Sequence, residues 1–269
     1  MPRGSKLAED DGVPMFAEER YRQISSLVSA DGRVTVAGLS SRFGITKETV
    51  RRDLALLESD GVLRRVHGGA IAGSGATTNE PSLVSRSEQH SPEKKRIAQA
   101  ALALTPETGA VVLDAGSTTE GLAELLVDEA RAVLSVITHS VPIAALVSGA
   151  GLSVELVGGR VRALTSAAVG SSTVTHFARL RADIAFIGAN GIGADFGLST
   201  PDVDEAAVKT AIVASARRVV LLADSSKFDE ETLISFATLE EIDALITDRA
   251  PRGSLADALS DADVEVIVA

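Results

Sequence analysis

Three observations predict an α/β protein built from two unequal parts. Residues 15–72 carry apolar residues at helical spacing and then a short arginine-bearing strand run; a small, polar stretch follows; the remainder alternates short, continuously apolar runs with helical ones. That order predicts a compact helical module and then a mainly parallel sheet covered by helices on both faces.

Taken in order, residues 1–14 (MPRGSKLAEDDGVP) are polar and unpatterned and read as a flexible tail, with Met15 a candidate start. From Phe16 to Ala30, the residues Tyr21, Ile24, Leu27 and Val28 recur at helical spacing and give a first helix. Thr35 then offers an N-cap for a short helix in which Val36, Leu39 and Phe43 share a side, and Gly44-Ile45 turns the chain. Thr46 starts the next helix, which runs to Ser59 or Asp60 before Gly61 stops it. Val50, Leu54 and Leu57 form its apolar side, Glu48, Arg51 and Arg52 cluster on another, and Lys47 sits at the N-terminal rim. Val62 to Val66 reads as a strand carrying Arg64 and Arg65, and His67-Gly68-Gly69 returns it through Ala70 to Ala72 as a small wing. The assembly over 15–72 is a winged helix-turn-helix.

A helix that buries aliphatics behind and presents Thr46, Lys47, Thr49, Arg51 and Arg52 in front suits the major groove of double-stranded DNA, with Arg64, Arg65 and His67 on the wing. An ordinary surface helix with a solvated charged face is the plainer alternative. The helix, turn, helix and wing setting favours DNA.

Composition bounds the rest. The 269 residues are 45% hydrophobic and 23% charged, ordinary for a globular chain and wrong for a fibre or a disordered one. No run of about 18 apolar residues and no charged-then-apolar leader is seen, which predicts a cytoplasmic protein without a membrane segment. Cysteine is absent, so disulfides and thiolate chemistry are excluded. The four histidines, at 67, 90, 139 and 176, have no metal-ligand spacing, and neither a metal nor a cofactor is expected. A net charge of −11 looks unsuited to DNA until it is divided: residues 15–75 hold 9 Lys and Arg against 7 Asp and Glu, and residues 76–269 hold 15 against 27. Phosphate attraction acts within a screening length of roughly 10 Å, so local charge decides. The acidity argues only against the large part wrapping DNA.

Residues 73–90 read as a linker, beginning with the small, polar Gly73 to Asn79, and residues 91–269 as the second domain. Ser91-Pro92 starts a helix in which Ile97, Ala101 and Leu104 share a face. Strand candidates are 110–113, 133–137, 154–157, 184–187, 219–222, 244–247 and 264–268, with helices at 119–126, 141–147 and 204–216. Open sheets of this kind bind ligands beyond the carboxyl ends of their strands. There lie Asp114 to Thr119, Thr138-His139-Ser140, Gly158-Gly159-Arg160, Gly188 to Gly191, and Asp224-Ser225-Ser226-Lys227. Singly each is a turn or a cap. Together they favour a phosphorylated, hydroxyl-rich ligand: backbone and hydroxyls of Gly116, Ser117, Thr118 and Thr119 for the anion, Lys227 or Lys209 for charge, and Asp114, Glu205 or Asp224 for sugar hydroxyls.

The runs Thr49-Val50-Arg51-Arg52-Asp53-Leu54 and Leu63-Arg64-Arg65-Val66-His67-Gly68-Gly69-Ala70 resemble the N-terminal signature of the DeoR family of bacterial sugar-metabolism repressors. The likeness runs from Met15 to the end through Asp114–Thr119, the Thr138 loop, Leu156–Arg162, Gly188–Ile192, Glu205 with Lys209, and Leu222–Phe228. It implies a sugar-phosphate-sensing domain resembling ribose-5-phosphate isomerase. The effector positions are then Asp114, Gly116, Ser117, Thr118, Thr119, Thr138, His139, Gly159, Arg162, Gly188, Asn190, Gly191, Glu205, Lys209, Asp224 and Lys227. His139 stands where many relatives have Asn, which puts a hydroxyl contact in question and suggests pH-sensitive binding. The runs Val141–Ala144, Gly159–Arg162 and Gly197–Pro201 look most like repressors of fructose-uptake operons in high-GC Gram-positive bacteria, which places fructose 1-phosphate first and leaves fructose 6-phosphate and other sugar phosphates open. The resemblance implies a homo-oligomer, dimer or tetramer, on repeated half-sites, released from DNA by the sugar phosphate. Two rivals are a fused isomerase using Asp114, Glu205 and Lys227 as acid and base groups, which the DNA-reading module disfavours, and a ligand-free oligomerising protein, which the five polar loops disfavour.

Overall fold

The computed structural model describes residues 17–31, 33–59, 62–72, 77–78, 80–129 and 134–269. The chain divides into two compact units, Met1–Ser74 and Gly75–Ala269. The expected tail, and residues 73–76 and 79 of the expected linker, lie outside the described residues.

The first unit runs α1 (Ala17–Asp31), β1 (Arg33–Thr35), α2 (Val36–Phe43), α3 (Lys47–Ser59), β2 (Leu63–Val66) and β3 (Gly69–Ala72). The Thr35 hydroxyl accepts the Gly38 N–H and starts α2, and Gly44 ends it in the left-handed region at φ 64°. The Thr46 hydroxyl accepts the Thr49 N–H (3.1 Å) and starts α3. β2 and β3 form the antiparallel wing; β1, which the sequence pattern did not disclose, adds to the other edge of β3. Ile24, Val28, Val36, Leu39, Val50, Leu54, Leu57, Leu63 and Ala70 form the core. Arg20 of α1 grips Asp53 of α3 through Nε (2.6 Å) and Nη2 (3.0 Å), and both residues are buried. This bidentate pair fixes α3 against α1 on the side opposite its exposed cations.

The second unit runs α4 (Leu83–Glu88), α5 (Ser91–Leu104), β4 (Gly109–Leu113), α6 (Ser117–Asp128), β5 (Leu134–Thr138), α7 (Val141–Gly149), β6 (Val154–Leu156), β7 (Arg160–Arg162), β8 (Ala167–Val169), α8 (Ser171–Phe177), β9 (Ile184–Ile187), β10 (Gly191–Gly193), β11 (Gly197–Thr200), α9 (Val203–Ser215), β12 (Val219–Leu222), β13 (Ile234–Ala237), β14 (Ala244–Thr247), α10 (Gly253–Asp261) and β15 (Glu265–Val268). The seven expected strands are the seven strands of one sheet, ordered β15-β14-β12-β9-β4-β5-β6, with every neighbouring pair parallel. Strand alternation splits the apolar runs between two cores. Val111, Leu113, Ile184, Phe186, Val220 and Leu222 meet α5, α6 and α7; Val112, Ala185, Ile187, Val219 and Leu221 meet α8, α9 and α10.

Three features depart from expectation. Residues 83–88, placed in the linker, are a helix, tied to the second unit by the buried Leu83 and by its N–H donating to Leu164 O (3.1 Å). The β7–β8 hairpin and the antiparallel sheet β10-β11-β13 were not foreseen. Among the described residues no helix is long and apolar enough to cross a membrane.

Candidate functional site

The central strand β4 ends at Leu113, and the chain passes through Asp114 and Ala115 to Gly116, which precedes α6 with an extended backbone. No side chain caps α6, so its first-turn N–H groups and its positive dipole end face the cleft that Ala115, Gly116, Ser117, Thr118 and Thr119 line. Thr119 turns its hydroxyl inward, donating to Asp114 O (2.7 Å) and Gly116 O (2.8 Å), and so shapes the loop.

Beneath the loop lies Asp114, wholly buried. One carboxylate oxygen accepts the Gly188 N–H (2.9 Å) and the Lys209 ammonium, and the other faces His139 Nε2 (3.0 Å). Burial pushes Asp114 towards protonation, but the Lys209 charge and the His139 ring more than offset it and hold the carboxyl well below the usual carboxylate range. Lys209, from α9, also donates to Gly188 O (2.9 Å), so its position carries the end of β9. His139 Nδ1 donates to Ala168 O (2.8 Å). In the neutral ring Nε2 is left to accept the Ala115 N–H (3.2 Å); in the imidazolium it donates to Asp114 instead.

The remaining walls come from separate elements. Gly188 and Asn190 follow β9, Glu205 lies in the first turn of α9, and Asp224 and Lys227 follow β12. Asp224 accepts the Ser226 N–H (3.1 Å); burial raises its pKa, and Lys227 and the Ser226 bond overcome that and leave it below its ordinary value. The last wall is Arg86, Gln89, His90 and Lys94, from α4, α5 and the turn between them, in which His90 adopts φ 54°. Lys94 donates to the carbonyls of Arg86 and Gln89 (2.8 Å to Gln89). Burial pushes the Lys94 ammonium down to about 8, with Asp224 opposing and Lys227 and Arg86 adding to the shift.

Of the expected effector positions, Gly116, Ser117, Thr118, Thr119, Gly188, Asn190, Glu205, Lys209, Asp224 and Lys227 line this cleft. Six do not, each for a visible reason. Asp114 and His139 form the buried floor, and His139 sits beneath the loop rather than at a hydroxyl-reading position. The Thr138 hydroxyl donates to Leu113 O (2.7 Å) and accepts the Ser140 N–H (3.0 Å), holding two strand ends together. A Cβ on Gly159 would lie 2.1 Å from Thr173 Oγ1, and one on Gly191 2.2 Å from Glu230 O, so both glycines serve close backbone packing. Arg162 is engaged by Glu80 (2.6 Å), Asp202 (3.0 Å) and Glu205 (3.2 Å). Reasoning from sequence missed Arg86, Gln89, His90 and Lys94, although Lys94-Lys95-Arg96 just after Pro92 is a cationic run that could have pointed there.

On the first unit, Thr46, Lys47, Arg51 and Arg52 are exposed and Thr49 is half-buried, all on α3 or at its start. Thr46 and Thr49 share a hydroxyl–hydroxyl bond (2.8 Å), and Arg51 meets Glu48 at 3.3 Å. On the wing Arg64 and His67 are exposed, while Arg65 reaches back to Glu58 of α3 (2.6 Å) and its N–H donates to the same carboxylate (2.8 Å). Alternation explains the split: Arg65 shares the side of the buried Leu63, and Arg64 takes the other.

A family model described as the DeoR C terminal sensor domain matches residues 89–249, and one described as the DeoR-like helix-turn-helix domain matches residues 20–75. The HTH-type transcriptional regulator GlpR of Haloferax volcanii is 36% identical over 254 residues, 94% of this chain and 98% of its own. The uncharacterized HTH-type transcriptional regulator FruR of Bacillus subtilis is 32% identical, over 87% of this chain and 92% of its own. Among solved structures, ribose 5-phosphate isomerase A from Methanocaldococcus jannaschii overlaps 50% of this chain and 53% of its own at 19% identity and a TM-score of 0.38, too slight a likeness to argue function from.

Proposed function

The chain belongs to the DeoR family of helix-turn-helix regulators, and from that premise we propose that it represses a sugar uptake or catabolism operon and leaves its operator when a sugar phosphate binds the second unit. The observation that carries this reading is the cleft, where the uncapped start of α6 and the cations Arg86, Lys94 and Lys227 converge. A helix N-terminus with flanking cations favours a phosphate; Asn190, Glu205 and Asp224 supply acceptors for hydroxyls. Fructose 1-phosphate is the first ligand to try, on the likeness of Val141–Ala144, Gly159–Arg162 and Gly197–Pro201 to fructose-operon repressors.

In this reading α3 enters the major groove with Thr46, Lys47, Thr49, Arg51 and Arg52 near bases and phosphates, and Arg64, Arg65 and His67 follow on the wing. Two or more subunits meet repeated half-sites. The ligand must favour the arrangement that cannot bind DNA, with a coupling of about 1–3 kcal/mol as is typical. Binding without turnover is supported by the chemistry of the floor: a general base needs a free lone pair and a pKa near neutrality, whereas Asp114 is held ionised by Lys209 and Glu205 is engaged by Thr165 and Arg162.

The test is fluorescence anisotropy on DNA from upstream of the protein's own gene neighbourhood, at fixed salt, with and without fructose 1-phosphate. Release by the sugar phosphate is expected. Release by a different sugar phosphate replaces the ligand only; an absence of sequence-specific binding would remove the regulatory reading.

A further inference from the structure

Arg86 lines the cleft from α4, and its side chain is 16% exposed. Its Nη1 lies 3.6 Å from Glu80 Oε1, beyond ordinary hydrogen-bond length. Its Nε and Nη2 are buried and have no hydrogen-bond partner. Those two nitrogens form one edge of the guanidinium fork, with parallel N–H groups spaced to match two oxygens of a phosphate or carboxylate. Leaving both orphaned is costly, since a buried donor without an acceptor forfeits its hydration. Two other cations of the cleft have acceptors of their own: Lys209 has Asp114 and Gly188, and Lys94 has two carbonyls.

From this we infer that Arg86 is the anion's bidentate ligand, its Nε–Nη2 edge facing a phosphate monoester that the start of α6 receives from the other side. The inference rests on reading the cleft as a ligand site and adds the residue that selects phosphorylated over unphosphorylated sugar. Glu80 faces the fork only at Nη1 and leaves the Nε–Nη2 edge without a protein acceptor; its closer contact is to Arg162, at 2.6 Å. A neutral sugar gains nothing from that edge. A dianionic phosphate fills both positions at once.

Isothermal titration with inorganic phosphate, fructose 1-phosphate and fructose tests this on the full chain, with thermal melting as the folding control. Arg86→Gln is expected to weaken both phosphates by roughly tenfold or more, the loss of a charge-assisted pair. Arg86→Lys keeps the charge without the paired edge and should fall between. A purely structural role for the Glu80–Arg86 contact makes Glu80→Gln and Arg86→Gln equivalent. If Arg86 is the ligand they diverge, with Glu80→Gln losing clearly less phosphate affinity than Arg86→Gln. Unchanged affinity in a folded Arg86→Gln, or equal losses in Arg86→Gln and Glu80→Gln, overturns the inference and leaves the ligand site standing. Failure of the parent protein to bind any phosphate removes both.

Discussion

The two units handle charge in opposite ways. In the first, the cations proposed for DNA stand on the surface, where Arg51 and Arg65 pair with carboxylates in contact with solvent, and a buried pair, Arg20 with Asp53, holds two helices together. In the second, Asp114, Lys209 and Glu205 are taken out of water and paired, Asp114 with Lys209 and Glu205 with the half-buried Arg162, and the cleft is built on top of them. A surface that meets a long polyanion gains from many weak, movable contacts. A cleft that meets one phosphate gains from groups fixed in advance. Precision costs buried charge, which the first unit places between two helices and the second beneath its cleft.

The sharpest way to break this contrast is to remove one half of each buried pair. Asp53→Ala should cost the first unit about 3–5 kcal/mol by leaving Arg20 buried and uncompensated. That is a large share of the stability of a unit this small, read as early loss of helical circular dichroism. Asp114→Ala should cost the second unit a similar amount by stranding Lys209, and should also erase stabilisation by sugar phosphate. If Asp114→Ala melts like the parent, the floor is not a charge network.

Surface changes should act on function and spare the fold. Arg52→Ala is expected to weaken operator binding by about 1–2 kcal/mol, within the range for a base or phosphate contact, with the sugar-phosphate thermal shift unchanged. Equal loss of both activities would undo the division of labour. Thr46→Ala should cost about 1 kcal/mol through the lost N-cap of α3, measured by chemical denaturation.

Lys94 offers a pH test. Its ammonium is already half-neutral at about 8, among Asp224, Lys227, Arg86 and Glu93. Only the charged form attracts a phosphate, so affinity should hold below pH 8 and decline as pH rises through it, and binding near pH 8 should take up a proton, visible as a buffer-dependent heat. The sign for folding is the reverse: the buried charge costs stability below about 8, and the cost fades as pH rises from there towards the ordinary lysine value, because the folded form sheds the proton first. The smallest expected effect is Glu48→Ala, a few tenths of a kcal/mol at most, since its pair with Arg51 is exposed.

These contrasts also mark what could be read from the sequence. The seven strands of the large sheet were legible because a strand buried on both faces must be continuously apolar, as Ile184–Ile187 and Val219–Leu222 are. Gly191–Gly193 and Gly197–Thr200 carry no such run, and their antiparallel sheet stayed hidden. The loops at the strand ends were legible as polar, but not which way each side chain points: Thr138 and His139 turn inward, and Ser117 and Thr118 line the cleft. Arg86 was invisible because Leu83–Glu88 is too short for helical periodicity, and contacts distant in sequence, such as Leu83 with Leu164, bring it to the cleft.

The strand order has a consequence for the making of the protein. Every strand of the wing is complete by Ala72, whereas β4, at the middle of the large sheet, waits for β9 and residues 184–187 before both its edges are covered. Folding during synthesis therefore runs from the short-range unit to the long-range one. A chain that stopped between the two would hold every strand of the wing and none of the cleft.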